Sequence, residues 1–95
     1  MKLKKILKDV KTLQVKGSKE IEITGVFTHS KVVFPGSMFI ACSGATVHGN
    51  NYIQNAIANG ASCIVLDMYN PFLAGVTQVV VEDPKRAAPQ LACNY

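Results

Sequence analysis

Two short segments hold the groups with which this chain could do chemistry. Residues 44–50, Gly44-Ala45-Thr46-Val47-His48-Gly49-Asn50, gather two glycines, a threonine and a histidine in a stretch that fits neither the helical nor the strand period. Between the carboxyl end of a strand and the amino end of a helix, such a loop presents unpaired backbone N–H groups and a positive dipole end. That combination binds a phosphate or a carboxylate. Glycines in such a loop also serve simply to make the turn, and spacing alone leaves both readings open. The second segment, Thr28-His29-Ser30-Lys31, sets hydroxyls, an imidazole and an ammonium between a strand and the Pro35-Gly36 turn. These groups could read a ligand's hydrogen-bonding edge, although an ordinary strand-to-turn exit has the same composition.

Other chemistries find less support. His29 and His48 have no second ligand at the i+3 or i+4 spacing, and Cys42, Cys63 and Cys93 form no Cys-x-x-Cys pair, so no metal is expected. Ser30 beside His29 lacks the Gly-x-Ser-x-Gly elbow of a hydrolase. None of the seven glycines is followed by lysine, so the chain carries no Gly-Lys-Thr/Ser phosphate loop. An odd number of cysteines in apolar or small-residue surroundings predicts reduced, buried thiols.

The elements that must position these groups follow from hydrophobic period. Leu3, Ile6, Leu7 and Val10 recur at helical spacing among lysines, which predicts an amphipathic helix over 2–10. Leu13 and Val15 suggest a brief strand ended by Gly17-Ser18. Ile21, Ile23 and Val26 alternate with Glu20, Glu22 and Thr24 as a second strand, so the two would form a hairpin-like pair. Pro35-Gly36 is a turn signal feeding a strand over 38–41, and residues 45–50 read as loop. From Asn51, Ile53, Ala56 and Ile57 fit a helix of about ten residues closed by Gly60. The apolar run 63–66 completes a βαβ unit. A β-branched run over 78–81 gives a further strand. Asp83-Pro84 is a helix start, with Pro89 expected to kink or end that helix near 86–88.

With 95 residues, 48% of them hydrophobic and 17% charged, the chain has the make-up of one folded domain. Its apolar runs are far shorter than the roughly 18–20 residues that span a bilayer. Lys2, Lys4, Lys5 and Lys8 alternate with apolar residues and so do not precede a signal-peptide core. A cytoplasmic protein is expected. Lys2, Lys4, Lys5, Lys8, Lys11, Lys16 and Lys19 concentrate the net charge of +4 at the start, and the remainder is slightly acidic. This basic face lacks the arginine and aromatic interleaving of a nucleic-acid binder and reads as a solvated surface.

Taken in order, the short motifs resemble those of one family. Ile23-Thr24-Gly25-Val26, Thr28-His29-Ser30-Lys31 and Val33-Phe34-Pro35-Gly36-Ser37-Met38-Phe39-Ile40-Ala41 are similar to the start of Mur ligases of the MurE type. There a strand leads to Asp-Ser-Arg and then to Pro-Gly-Asp-Leu-Phe-Val-Ala. Residues 44–52 look like the family's Gly-x-x-x-Asp-Gly-x-x-Tyr/Phe loop, Ala56-Ile57-Ala58-Asn59-Gly60-Ala61 like its Ala-Ile-x-x-Gly-Ala helix end, and residues 79–83 complete the likeness.

The resemblance covers nearly the whole chain. It implies a single small α/β domain, the Mur ligase N-terminal fold, with a mixed or mostly parallel sheet and flanking helices. It also implies that the chain holds the UDP end of UDP-N-acetylmuramoyl-L-alanyl-D-glutamate. Ser30 matches the serine that contacts the nucleotide, Thr28 a neighbouring contact, and Ala45, Thr46 and Val47 the loop tripeptide at the uridine diphosphate. His29, Lys31, His48 and Gly49 are further candidates. His29 and His48 stand where the family has aspartate, and Lys31 where it has arginine, so a two-pronged contact becomes a single-point one.

In the family the whole enzyme adds meso-diaminopimelate or lysine with ATP and Mg²⁺. The resemblance therefore implies further ligase domains in cis, with no catalytic residue and no cofactor in this chain. The departures leave open a second reading, a regulatory or protein-interaction module that kept the fold and lost nucleotide binding.

Overall fold

In three buried runs, successive side chains face opposite ways, and this dictates an α/β/α sandwich. Met38 and Ile40, Cys63 and Val65, and Val79 and Val81 join one apolar cluster, whereas Phe39, Ile64, Leu66 and Val80 join another. A sheet that is apolar on both faces must be covered on both. The structure is a computed structural model that describes residues 1–42, 47–73 and 75–95, with the side chains of 47–51 excepted.

Its sheet has strands β1 (Gln14–Lys16), β2 (Val26–Phe27), β3 (Met38–Ile40), β4 (Cys63–Leu66) and β5 (Thr77–Val80), in the order β1-β5-β4-β3-β2. β2, β3, β4 and β5 pair in parallel, with Val26 opposite Met38, Met38 opposite Cys63 and Cys63 opposite Thr77. Among these five strands β1 alone runs antiparallel, against β5. The expected mixed, mostly parallel sheet with flanking helices is thus present.

One face is covered by α1 (Leu3–Ile6) and α3 (Pro84–Asn94) through Leu3, Ile6 and Leu91, all fully buried. The other is covered by α2 (Val47–Ala58) through Ile53 and Ala56, and by the connection from β4 to β5 through Leu73. Gln78 fastens that connection. Its buried side-chain amide accepts from the Asn70 N–H at 2.9 Å and donates to the Asn70 carbonyl at 2.8 Å.

Several sequence expectations need correction. The first helix ends at Ile6 rather than near residue 10, because Asp9 takes a left-handed φ of 62°. Leu7 and Val10 still pack against the same core. The hairpin-like pair does not form. Gly17 turns the chain away against Thr77, and residues 17–25 cross the helix-α1 face to the far edge of the sheet. The alternation of Ile21 and Ile23 is real, but their backbone partners lie at the chain start: the Leu3 N–H donates to the Ile21 carbonyl and the Ile23 N–H to the Met1 carbonyl.

Residues 47–50, expected as loop, are helical. Three and four residues before Ile53 stand Asn50 and Gly49, so the first turn lacks the apolar anchor by which a period is read. Once a helix is nucleated, adding such a turn costs little.

Finally, α3 runs through Pro89 to Asn94. A mid-helix proline costs roughly 3 kcal/mol, and tertiary ties on the far side offset it. Leu91 is buried, the Asn94 amide donates to the carbonyls of Ile6 and Lys8 at 2.8 and 2.6 Å, and the Tyr95 hydroxyl donates to that of Thr24 at 2.7 Å.

Candidate functional site

The parallel strands β2 and β3 end side by side, and the chain leaving each carries polar groups into one cleft. Thr28, directly after β2, is followed by His29 and a single 3-10 turn at Ser30–Val32. Ala41 and Cys42 follow β3. These residues line an open cleft of about 1000 Å³ that Tyr52 and Asn55 of α2 and Lys85, Ala88, Pro89 and Ala92 of α3 complete. The cleft lies outside the carboxyl ends of the strands, where ligands of open α/β sheets collect.

Local bonding explains why residues 28–31 keep this position. The Pro35-Gly36 turn forms as expected, with the Ser37 N–H donating to the Phe34 carbonyl at 3.1 Å and Gly36 at a φ of 87°. The same turn is tied to the end of α2 by the Gly36 N–H, which donates to the Gly60 carbonyl at 2.9 Å. The Asn59 side-chain amide donates to the Ser30 carbonyl at 2.9 Å. Ser30 is 5% exposed, while Thr28, His29 and Lys31 are open to solvent. Phe27 and Phe34, on either side of the segment in sequence, stack edge to face at 5.4 Å.

Of the candidate residues, Thr28, His29, Ser30 and Lys31 therefore share one cleft. Ala45 and Thr46 lie outside the described residues. Val47, His48 and Gly49 have a described helical backbone, and their side chains lie outside the description. On either side of residues 44–50, Cys42 before them and Tyr52 after them border the same cleft as Ser30. Tyr52 closed the loop motif in sequence; Asn55 was not singled out, and its place one turn further along α2 is the signal that could have found it. Lys85, Ala88, Pro89 and Ala92 were missed, since nothing local in the sequence joins α3 to residue 30.

A second cleft, of about 700 Å³, adjoins the first at Cys42 and is bordered by Asp9, Lys11, Asp67, Glu82, Asp83 and Arg86. Among the described residues no three His, Cys, Asp or Glu side chains are grouped as a metal-binding set. The sequence contains no Gly-Lys pair of the kind that grips ATP phosphates in a phosphate loop.

The cysteines depart from expectation. Cys63 is buried and its thiol is pushed up to about 12 by desolvation, but Cys42 is half-buried and Cys93 exposed. Burial also raises Cys42, a rise that the ammonium of nearby Lys85 opposes and Asp83 adds to.

Comparison with known proteins decides the family. The family model described as "Mur ligase family, catalytic domain" matches residues 22–95. The chain belongs to the Mur ligase family. It is 35% identical over 95 residues to the UDP-N-acetylmuramoyl-L-alanyl-D-glutamate--2,6-diaminopimelate ligase of Alkaliphilus metalliredigens, covering 100% of this chain and 19% of that protein. To the ligase of the same name from Caldanaerobacter subterraneus subsp. tengcongensis it is 38% identical, covering 100% and 20%. The UDP-N-acetylmuramoyl-L-alanyl-D-glutamate--L-lysine ligase of Staphylococcus haemolyticus is 34% identical, covering 97% and 19%.

Among solved Mur ligases, a crystal structure of MurF from Acinetobacter baumannii superposes with a TM-score of 0.72 at 22% identity. That superposition covers 98% of this chain and 20% of the other, and supports the fold. The chain spans about a fifth of the length of the curated relatives it matches.

Proposed function

We propose that this Mur ligase chain binds the UDP end of UDP-N-acetylmuramoyl-L-alanyl-D-glutamate for a ligase that extends the peptidoglycan precursor by one amino acid. The observation that carries this reading is the cleft that residues 28–31 share with Cys42 and Tyr52, which flank residues 44–50 in sequence. Ser30 is the central contact. Its hydroxyl binds the nucleotide, and Asn59 fixes its backbone. Thr28 lies beside it, and the backbone N–H groups of Ala45, Thr46 and Val47 hold the diphosphate, a role indifferent to their side chains. His29, Lys31, His48 and Gly49 form the periphery.

The reaction itself we assign to parts of the ligase outside these 95 residues. There ATP and Mg²⁺ would activate the carboxylate of the bound precursor for attack by diaminopimelate or lysine. The relatives' names support this substrate class. The domains that perform the reaction are this chain's partners in cis, in a cytoplasmic enzyme. Among the described residues no helix is long and apolar enough to cross a membrane.

Calorimetric titration with UDP-N-acetylmuramoyl dipeptide tests the reading. Binding is expected, and Ser30→Ala should weaken it by about five- to tenfold, the worth of one ordinary hydrogen bond. No heat at millimolar ligand, or an unchanged affinity in Ser30→Ala, would favour the interaction-module reading.

A further inference from the structure

Charge in this fold is sorted between the two clefts. No Asp or Glu occurs anywhere in residues 23–66, the part of the chain that builds β2, β3, α2 and β4. The described lining of the larger cleft accordingly holds no carboxylate. Its ionisable nitrogen groups are His29 and Lys31, from the segment after β2, and Lys85, from α3. The carboxylates of Asp9, Asp67, Glu82 and Asp83 border the second cleft, beside Lys11 and Arg86. Neither Lys31 nor Lys85 is in an ion pair among the described residues, where the pairs formed are those of Met1, Lys2 and Lys4 with Glu22 and Glu20.

Lys85 is also oddly placed for helix stability. It stands in the first turn of α3, one residue after Pro84, where the helix dipole disfavours a cation. The Asp83 carboxylate caps α3 by accepting from the Lys85 backbone N–H at 3.1 Å, and Lys85 itself borders the cleft.

We infer that Lys85 is a phosphate-binding residue: its ammonium, across the cleft from Lys31, neutralises the diphosphate of the bound ligand. The inference rests on the reading of this cleft as the nucleotide site and adds α3 to it, giving an anion two cationic walls. The contact is a point charge on a flexible stem, so it would favour any diphosphate over the neutral nucleoside.

Arg86 supplies a matched control, since it removes the same charge from the same helical turn but borders the other cleft. The 95-residue chain and its Lys85→Gln, Lys85→Arg, Arg86→Gln and Ser30→Ala variants are titrated calorimetrically at low salt with UDP, inorganic pyrophosphate and uridine. Lys85→Gln should weaken UDP and pyrophosphate about tenfold, as for loss of one charge-assisted hydrogen bond, and leave uridine unchanged. Lys85→Arg should retain most of the affinity, and Arg86→Gln should change it by less than about twofold.

Wild-type affinity in Lys85→Gln alongside weakened Ser30→Ala would overturn the role of Lys85 and leave the nucleotide reading standing, as would equal losses in Lys85→Gln and Arg86→Gln. Pyrophosphate binding that depends on Lys85, with UDP no tighter and indifferent to Ser30, would sink the nucleotide reading and keep the anion contact. Binding of neither ligand by the wild type would overturn both.

Discussion

Cys42 lies where the two clefts meet, and the three cysteines give a test of the fold at the level of single atoms. Thiolate, not thiol, is the nucleophile, so alkylation follows both exposure and thiol acidity. Cys93 is exposed, Cys42 is half-buried with its thiol held above the ordinary range, and Cys63 is buried and pushed up to about 12. Iodoacetamide at mildly alkaline pH, read by mass spectrometry, should label Cys93 first, Cys42 more slowly and Cys63 only on unfolding. Labelling of Cys63 together with Cys93 in the native protein would contradict the packing of β4. Sequence context predicted buried thiols because each cysteine has small or apolar neighbours. For Cys93 those neighbours, Ala92 and Leu91, point different ways round a helix, and only Leu91 reaches the core. Residues 28–31 were legible as candidates because hydroxyls, an imidazole and an ammonium crowd a strand exit. Lys85 carried no such signal, since its meaning depends on α3 packing beside β2 and β3.

At the scale of elements, the turns were the most legible part of the sequence and carry the sharpest mechanical prediction. Gly60 was expected to close α2 and does so at a φ of 103°, with its N–H donating to the Ile57 carbonyl at 3.0 Å. A β-carbon there would also lie 2.7 Å from the Pro35 α-carbon, a backbone atom that cannot step aside. Gly60→Ala should therefore cost about 2 kcal/mol or more in urea unfolding, the left-handed strain plus a displaced turn. Gly75→Ala, at a φ of 76° with nothing within 4 Å, should show only the strain, about 1 kcal/mol. Equal costs at the two sites would contradict the docking of α2 on the Pro35-Gly36 turn. Strand β4 matched its apolar run, and β5 lay one residue earlier than its run implied. The start of α2 and the passage of α3 through Pro89 were not legible. Both are set by contacts or cooperativity that no local pattern records.

For the molecule as a whole, the three-layer plan followed from apolar runs that need cover on both faces, but the order of the strands did not. Residues 13–15 and 20–26 are neighbours in sequence and end at opposite edges of the sheet, because the segment between them spans its face. Local alternation fixes that a segment is extended and which side is apolar; it does not choose its partner. The same long-range placement brings the ends of β2 and β3, the flanks of residues 44–50 and the first turns of α3 around one cleft, and sends four carboxylates to another. The central claim is that this cleft receives a uridine diphosphate. The most direct measurement is a two-dimensional amide NMR titration of the chain with UDP. The expected result is a saturable shift of the Thr28, Ser30, Lys31, Thr46 and Val47 resonances, with those of Asp67 and Glu82 unmoved. Shifts confined to residues around the second cleft, or none at millimolar UDP, would contradict the account.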